Sequence, residues 1–242
     1  MFMRRLAAAA AVTFGLLGFG STAHALPIGL ALVIDESGSI STANWNLQQD
    51  AYASVLSSSL IKTDGSLVIG VWKFDGSVEQ VFAPTLIDSL GAKNALVTAI
   101  NNMIQGGGLT AIGDGVTAAY NAFQNYLDPG NNNPLSSFFS KVVIDVSTDG
   151  ISNTGSNPTT ASNLAIAGGV GQVNCLAIGA GANCNWNPAD SLDFVAATFQ
   201  DFERILALKI ATETGQVPEP GSLALLGLAM AGLVLVKRRR SA

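Results

Sequence analysis

Histidine and cysteine are scarce in this chain of 242 residues, and their scarcity excludes several kinds of active site. The single histidine, His24, lies in a segment that we expect to be removed, so the rest of the chain has no Ser-His-Asp or Cys-His catalytic group and no imidazole zinc site. The two cysteines, Cys175 and Cys184, are close in sequence. In an exported protein such a pair favours a disulfide, whereas the alternative, a thiolate nucleophile, lacks a base to activate it.

Positive charge is also scarce between the two ends of the chain. Residues 6–236 contain six of the 12 basic residues against all 17 acidic residues, a formal net charge of −11. A surface this acidic argues against nucleic acid or an anionic membrane as a partner, and it favours solubility or cation binding. We therefore expect no nucleic-acid ligand.

The first 25 residues have the pattern of an export signal. Two arginines open the segment, an apolar run occupies residues 6–19, and the tripeptide AHA supplies small residues at a cleavage site. A buried N-terminal helix is the alternative, but the stretch GFGSTAHALP combines helix breakers with small residues. We predict a signal peptide at residues 1–25 and a mature chain that starts near Leu26.

The last 26 residues contain three motifs in a fixed order. The acid-containing motif VPEP precedes an apolar run of 16 residues at 221–236, and the basic cluster KRRR follows the run. The run is shorter than the roughly 20 residues that a full membrane span prefers. The basic cluster predicts that everything upstream of the run lies outside the cytoplasm. An ordinary tail anchor is the alternative, but it does not require Pro-Glu-Pro directly before the helix.

This C-terminal segment resembles the PEP-CTERM sorting signal, with a motif formed by Val217, Pro218, Glu219 and Pro220. The resemblance implies a Gram-negative bacterial protein that is anchored in the inner membrane through its C-terminal helix. It also implies an exosortase that cuts near the motif and releases the protein to the cell surface or extracellular matrix. We therefore assign residues 215–242 to a sorting signal with a short transmembrane helix and a basic tail.

Residues 26–214, between the two ends, are long enough for one domain with a sizeable core. Strands are predicted at 28–34, 66–74, 77–86, 141–147, 172–178 and 194–199, and helices at 42–61, 90–103, 112–126, 159–167 and 201–213. A tight turn at Asp75 and Gly76 joins the second and third strands. The alternation predicts an α/β fold with a Rossmann-like, doubly wound, mostly parallel sheet between helices on both faces. Ligands bind to such sheets beyond the carboxyl ends of the strands.

Three segments place oxygen-bearing side chains at the ends of these elements. In the sequence DESGS, Asp35, Ser37 and Ser39 are two residues apart, so in an extended chain they point the same way. Thr110 follows a glycine-rich loop, and Asp149 follows the strand-like VVIDVST. Two carboxylates and three hydroxyls suit a hard divalent cation of the magnesium type, which takes oxygen ligands and keeps some waters.

Each of these residues also has a purely structural interpretation. The serines would serve a turn and the start of the helix at residue 42, Asp149 would serve an Asp-Gly turn, and Thr110 would serve a helix entry. These interpretations are reasonable one at a time, but they leave the convergence of all five residues unexplained. The sequence therefore predicts a metal site.

The five residues resemble a von Willebrand factor A (vWA) domain with its metal-ion-dependent adhesion site (MIDAS). The family motif is Asp-x-Ser-x-Ser, then a threonine in a glycine-rich loop, then an aspartate in a Thr-Asp-Gly turn, and this chain matches it in order. The segments TAIGDG, VVIDVSTDGISNTG and FQDFERILALKIATE are similar to a bacterial subgroup of uncharacterised function, DUF1194. The resemblance covers about residues 28–213. It implies that the five residues share a Mg²⁺ ion, with Mn²⁺ or Ca²⁺ as alternatives.

Together, the export signal and the predicted metal site lead to the hypothesis of an exported protein without enzymatic activity, which uses the metal to hold a carboxylate on a protein or an exopolysaccharide. A structural matrix component in which the metal only stabilises the fold is the alternative. A metal-dependent hydrolase would need an Asp or Glu as its base, because no histidine or free cysteine is available. A partner of AAA+ ATPases, the role of some intracellular relatives, conflicts with export.

Two further acids receive other interpretations. Glu36 alternates away from Asp35, so we expect its side chain to be in solvent. Asp145 lies within an apolar strand, where a charge is costly unless it is paired. It is therefore expected either to support the metal site from behind or to face an edge of the sheet.

Overall fold

The structure is a computed structural model that describes residues 25–126 and 133–216. Nearly all of the predicted signal peptide lies outside the described residues, as do the sorting motif at 217–220, the predicted C-terminal membrane helix and the basic tail. Among the described residues, no helix has the length and apolar character needed to cross a membrane.

Strands and helices alternate along the described part of the chain. The strands are β1 (Ile28–Asp35), β2 (Leu67–Phe74), β3 (Val78–Leu86), β4 (Lys141–Thr148), β5 (Gln172–Ile178) and β6 (Asp193–Ala196). The helices are α1 (Thr42–Ser57), α2 (Leu90–Asn101), α3 (Ile112–Gln124), α4 (Pro158–Ala167) and α5 (Phe199–Glu213), and a short 3-10 helix spans Leu135–Ser137. All of the predicted strands and helices are present, and only their ends differ.

Two of those ends differ because hydroxyl side chains cap the helices. α1 ends at Ser57 instead of residue 61, since Ser58 turns its hydroxyl onto the carbonyl of Val55 at 2.7 Å and its backbone is extended. α5 begins at Phe199 instead of residue 201, since the hydroxyl of Thr198 accepts a hydrogen bond from the backbone N–H of Asp201.

The strands form one sheet in the order β3-β2-β1-β4-β5-β6. Every neighbouring pair is parallel except β2 and β3, which form the antiparallel hairpin predicted at Asp75 and Gly76. The predicted α/β fold with a mostly parallel sheet is therefore confirmed. The chain moves outward from β1 in one direction to β2 and in the other to β4, so the strand order reverses at the carboxyl end of β1, where such sheets bind ligands.

Both faces of the sheet are covered by helices. Leu30 and Leu32 of β1 pack on one face against α1, α2 and α5, whereas Ala31 and Val33 pack on the other face against α3 and α4. This two-sided burial accounts for strands that are apolar throughout. It leaves the ends of the strands as the places where polar side chains can gather.

Helix α5 ends close to the amino edge of the sheet. Its last residue, Glu213, accepts a 2.8 Å hydrogen bond through Oε1 from Nδ2 of Asn174, near the start of β5. Lys209, one turn earlier, lies 3.0 Å from the same Oε1 and also contacts Asp145 of β4. The expectation that Asp145 supports the metal site or faces an edge is wrong, because α5 covers this central strand and supplies a buried lysine.

The buried cluster of Asp145, Lys209 and Glu213 contains two acids and one base. One oxygen of each carboxylate, Oδ2 of Asp145 and Oε2 of Glu213, has no hydrogen-bond partner. Burial, and then the charge on Asp145, raise the pKa of Glu213 to about 7, although Lys209 opposes the shift. A protonated Glu213 leaves the cluster neutral overall.

A disulfide joins Cys175 of β5 to Cys184 in the loop that follows this strand. The two Cα atoms are 5.7 Å apart, and both cysteines are buried in the core on the side of α3 and α4. The bond therefore attaches the loop after β5 to the sheet.

Candidate metal centre

The candidate site begins where β1 ends. Asp35, its last residue, is fully buried, and its Oδ1 accepts a 2.8 Å hydrogen bond from the backbone N–H of Ser37. This short turn folds the serines back toward the Asp35 carboxylate. The hydroxyl oxygens of Ser37 and Ser39 are 3.1 Å apart. The three side chains of the DESGS segment therefore converge as predicted, but a turn brings them together and not the extended chain that the prediction assumed.

Asp149 reaches the same point from β4. The hydroxyl of Ser39 donates a 2.6 Å hydrogen bond to Oδ1 of Asp149, across 110 positions of sequence. The contact is possible because β1 and β4 are parallel neighbours, so the loops that follow them leave the sheet at the same edge.

Thr110 is brought to this edge by the glycine-rich loop before α3. The backbone N–H of Gly38 donates a 2.9 Å hydrogen bond to the carbonyl of Gly108, which attaches this loop to the serine turn. A Cβ atom built on Gly150 would lie 3.8 Å from Oγ1 of Thr110 and 3.9 Å from Oγ of Ser39. These two hydroxyls are therefore less than about 8 Å apart, and all five predicted side chains lie at one edge of the sheet.

The two acids of the site lack a basic partner. Among the described residues, neither Asp35 nor Asp149 forms an ion pair with lysine or arginine. Burial raises the pKa of Asp35 to about 6 despite hydrogen bonds from Ser37 and Thr148, and the charge on Asp149 adds to the shift. Burial also raises the pKa of Asp149, although the hydrogen bond from Ser39 opposes it. A cation at this point would favour the charged form of both carboxylates.

The donor atoms fit a hard divalent cation. The five side chains offer only oxygen, from two carboxylates and three hydroxyls. Over residues 25–126 and 133–216, no group of three or more His, Cys, Asp or Glu side chains could hold a metal ion. The candidate set differs from such a group because most of its donors are neutral. An incomplete set of oxygen donors leaves room for water or for an oxygen of a partner molecule, as Mg²⁺ prefers.

Thr148 is a further site residue that the sequence analysis missed. Its hydroxyl donates a 2.6 Å hydrogen bond to Oδ2 of Asp35 and accepts a 3.1 Å hydrogen bond from the backbone N–H of Gly150. It therefore connects the buried carboxylate to the turn that presents Asp149. Its position directly before Asp149 in the sequence STDG was the available signal.

Asn153 and Ser152 hold the backbone of Thr110, and no spacing rule points to them. The backbone N–H of Thr110 donates a 2.8 Å hydrogen bond to Oδ1 of Asn153. In return, the carbonyl of Thr110 accepts hydrogen bonds from the backbone N–H of Asn153 at 3.0 Å and from the hydroxyl of Ser152 at 3.2 Å. The loop after β4 therefore fixes the loop before α3.

Glu36 is buried, so the expectation that it lies in solvent is wrong. It is 4% exposed, and Nζ of Lys73 lies 3.0 Å from both of its carboxylate oxygens. The backbone N–H of Gly106 donates a 2.8 Å hydrogen bond to Oε2 of Glu36. Alternation correctly turns Glu36 away from Asp35, but the glycine-rich loop covers the side to which it turns. Glu36 thus helps to hold the loop that carries Thr110.

Comparison with solved structures identifies the fold. Proximal thread matrix protein 1 (PTMP1) from the mussel byssus is 24% identical with a TM-score of 0.62, covering 79% of this chain and 48% of that chain. Another PTMP1 structure, described as having a zinc occupied MIDAS motif, is 22% identical with a TM-score of 0.58, covering 77% and 48%. A von Willebrand factor type A structure from Catenulispora acidiphila is 15% identical with a TM-score of 0.59, covering 79% and 43%.

These likenesses show that the described domain has a vWA-like fold, and the chain spans about half the length of the PTMP1 chains that it matches. No curated protein matches the sequence.

The model of the PEP-CTERM protein-sorting motif matches residues 216–240, which confirms the predicted C-terminal sorting signal. The model described as "Protein of unknown function (DUF1194)" matches residues 25–217, most of the chain. The chain therefore belongs to the DUF1194 family, with a vWA-like domain followed by a PEP-CTERM sorting signal.

Proposed function

We propose that this protein is exported, binds a divalent cation at the carboxyl edge of its sheet, and uses the ion to hold a carboxylate on a partner. The ion is Mg²⁺, with Mn²⁺ or Ca²⁺ as alternatives. The residues that would hold it are Asp35, Ser37, Ser39, Thr110 and Asp149. The observation that carries the proposal is the pairing of two partly or fully buried acids, Asp35 and Asp149, with hydroxyls between them and no basic side chain to balance them.

The chemistry of the donors supports recognition of an anion. Three of the five donors are neutral hydroxyls, so a bound divalent cation keeps much of its charge. Ser39, at the outer side of the turn, is exposed, so a partner can reach this edge of the site. A carboxylate on the partner would complete the coordination of the ion.

We infer a binding protein and not an enzyme. His24, the one histidine, lies outside the domain, and both cysteines are joined in the disulfide. Asp35 and Asp149 would be occupied as ligands, so neither is free to act as a general base. The similar folds are those of a thread matrix protein and a vWA structure, which is consistent with a role in binding or assembly.

The segments at the two ends supply the proposed location. Residues 1–25 would direct export and be removed, residues 26–214 would form the vWA-like domain, and residues 215–242 would anchor the chain in the inner membrane until an exosortase acts. The match of the sorting motif to residues 216–240 supports this order of events. The processed protein would then lie on the cell surface or in the extracellular matrix.

Metal titration of the full chain in detergent tests the site. Binding of Mn²⁺ is measured by electron paramagnetic resonance. We expect about one Mn²⁺ ion to bind per chain, and we expect Mg²⁺ to displace it. Asp149→Ala should abolish this binding, and Asp88→Asn, an exposed acid at the other end of the sheet, should retain it. Equal Mn²⁺ binding by the parent and Asp149→Ala would refute the proposed site.

A second assay separates recognition from a purely structural metal. The parent chain is tested for adhesion to immobilised protein and polysaccharide, with Mg²⁺ and with EDTA. Loss of adhesion in EDTA at unchanged circular dichroism supports recognition through the ion. If EDTA unfolds the chain, and adhesion is lost only to the extent that the chain unfolds, the metal only stabilises the fold.

A further inference from the structure

We propose that Lys209 and Asp145 form a modification site, at which their side chains condense into an intramolecular amide bond with Glu213 as the catalytic acid. The bond joins Nζ of Lys209 to Cγ of Asp145, releases one water molecule and links α5 to β4. The inference is independent of the candidate metal site, because the three residues lie in the core under α5 and none of them is a proposed ligand.

The reacting groups are in contact inside the domain. Nζ of Lys209 contacts Oδ1 of Asp145, and neither side chain has any exposed surface. Oε1 of Glu213 lies 3.0 Å from the same Nζ, and this side chain is equally buried. The ring centre of Phe194 lies 5.8 Å from Nζ. An amine, a carboxyl group and a second acid are therefore held together where water is excluded.

A simple ion pair leaves this cluster incompletely satisfied. In the described part of the chain, Oδ2 of Asp145 and Oε2 of Glu213 are buried and have no hydrogen-bond partner. The cost of removing an ion pair from water is offset only when its remaining oxygens are also hydrogen-bonded. Condensation removes the charges of Lys209 and Asp145 together with one carboxyl oxygen. It therefore relieves the cost that the ion pair leaves.

Glu213 is held in a position that suits a catalytic acid. Nδ2 of Asn174 donates a 2.8 Å hydrogen bond to Oε1 of Glu213, and Oδ1 of Asn174 accepts one of 2.8 Å from the backbone N–H of Leu192. Both ends of the Asn174 amide are thus fixed. Because Oε1 already accepts hydrogen bonds from Asn174 and Lys209, a proton on Glu213 belongs on Oε2.

The surroundings of Glu213 also keep it protonated. Burial raises its pKa to about 7, and the charge on Asp145 contributes to the shift. Glu213 therefore carries a proton below neutral pH. A protonated acid beside the reacting groups can give one proton and take another during the reaction.

The condensation balances in atoms and in charge. A proton first passes from the ammonium of Lys209 to the carboxylate of Asp145, because a low-dielectric interior favours the neutral forms. The nitrogen lone pair then attacks Cγ, so that a C–N bond forms and one C–O bond breaks. Glu213 gives its proton to the departing oxygen and takes one from the nitrogen. Of the three ammonium protons, one stays on the amide nitrogen and the equivalent of two leaves in the water molecule.

Fixed proximity supplies the driving force that the same groups lack in solution. Two groups that the fold holds in contact react as if each were present at very high concentration. The buried site also excludes the water that would reverse the reaction. No further reactant is required.

The bond has a mechanical consequence for the tail of the chain. α5 is the last element before the sorting motif, and Glu213 lies four residues before Val217. Without the bond, a pull on the tail meets only noncovalent contacts between α5 and the sheet. The amide passes the pull to β4, which has β1 and β5 as neighbours on either side.

Mass spectrometry of the full chain, denatured and reduced after purification in detergent, tests the bond. Trypsin cleaves after Lys141 and Arg204, so Asp145 lies in the peptide 142–204. In the parent, we expect this peptide to be joined to a peptide that begins at residue 205, with the mass of one water molecule missing. The chain should remain uncleaved at Lys209, and fragment spectra should locate the link between Asp145 and Lys209.

Three variants assign the roles. Lys209→Arg keeps a positive charge beside Asp145, but its guanidinium does not condense, so no linked peptide should form. Glu213→Gln cannot exchange protons, and its linked fraction at a fixed time after refolding should fall about tenfold or more. Glu203→Gln, an exposed acid on the same helix, is the control and should be linked as fully as the parent.

Two results would overturn the inference. The first is a parent chain that is folded by circular dichroism but yields peptide 142–204 unlinked, with cleavage at Lys209; the cluster would then be an ion pair only. The second is a folded Glu213→Gln chain that is linked as fast as the parent, which would exclude Glu213 as the catalytic acid. The mass of the parent decides whether the bond exists even if a variant does not fold.

Discussion

The hydroxyl of Thr148 donates a 2.6 Å hydrogen bond to Oδ2 of Asp35, and this contact joins the last residues of β4 and β1. The other oxygen, Oδ1, accepts a hydrogen bond from the backbone of Ser37. Both oxygens of Asp35 are thus oriented by the fold itself. A metal ion that binds here meets a carboxylate already in position, which lowers the cost of assembling the site.

Thr148→Val is expected to weaken metal binding without unfolding the chain. The substitution keeps the shape of the side chain but removes the donor to Asp35, and loss of such an orienting contact costs roughly 10-fold or more in metal affinity. Mn²⁺ titration measures the effect. Thr85→Val, on the edge strand β3, is the matched control and should bind as the parent does. Equal affinity of the Thr148 variant and the parent would show that Asp35 needs no such support.

Glu36→Gln is expected to destabilise the fold, whereas Glu79→Gln is not. Glu36 is buried against Lys73, so its neutralisation leaves a buried ammonium with weaker compensation, at a cost of about 1–3 kcal/mol. Glu79 contacts the same Nζ at 2.8 Å but its side chain is 64% exposed, and such a pair contributes at most about 1 kcal/mol. Urea unfolding measures both changes. Equal losses in the two variants would contradict the assigned role of Glu36.

Stability should fall as the pH rises, because of Glu213. Its pKa in the folded chain is raised from 4.5 to about 7, mainly by burial, so the folded state binds this proton more tightly than the unfolded state does. The contribution of protonated Glu213 to the free energy of unfolding is fully present below about pH 4.5 and is lost as the pH rises through about 7. Urea unfolding at several pH values should show this decline in the parent.

Glu213→Gln should flatten that decline, because the amide does not titrate. Between about pH 5 and pH 8, the raised pKa should cost the parent roughly 2–3 kcal/mol of unfolding free energy that the variant does not lose. Glu203→Gln is the control, because Glu203 lies on the same helix but is exposed. A decline that is unchanged in the Glu213 variant would assign the pH dependence to other groups.

The disulfide should stabilise the domain measurably. It closes a short loop, since its cysteines are nine positions apart in sequence, and the chain-entropy model gives roughly 2–3 kcal/mol for a loop of this length. The double variant Cys175→Ala with Cys184→Ala should unfold at correspondingly lower urea concentration. Reduction of the disulfide in the parent should lower the urea midpoint in the same way. If reductant leaves the urea midpoint unchanged, the disulfide does not stabilise the domain.

The residues of the candidate site could be predicted because they follow local rules. The spacing of Asp35, Ser37 and Ser39 marks one local segment, in which a turn and not an extended chain brings the side chains together, and the ends of buried strands locate Asp149. The apolar strands and the helices between them likewise predict the fold. These features depend on neighbours in sequence, so a single chain reveals them.

The supporting contacts could not be predicted because they join distant segments. Glu36 is buried only once the loop near Gly106 has folded over it. Asp145 finds its partner in Lys209, 64 positions later in the chain. No local pattern records which loop will cover a side chain or which helix will cross a strand. Such pairs emerge only from the tertiary packing.

The position of the end of α5 gives the molecule a direction. Glu213 contacts Asn174 beside the start of β5, and the sorting motif begins four residues later, whereas Asp35 and Asp149 lie at the opposite edge of the sheet. Under the proposed function, a chain tethered through its tail would therefore carry the candidate metal site on the side of the domain that faces away from the lipid. The proposed tether and the proposed capture site would then lie at opposite ends of the domain, so neither would obstruct the other.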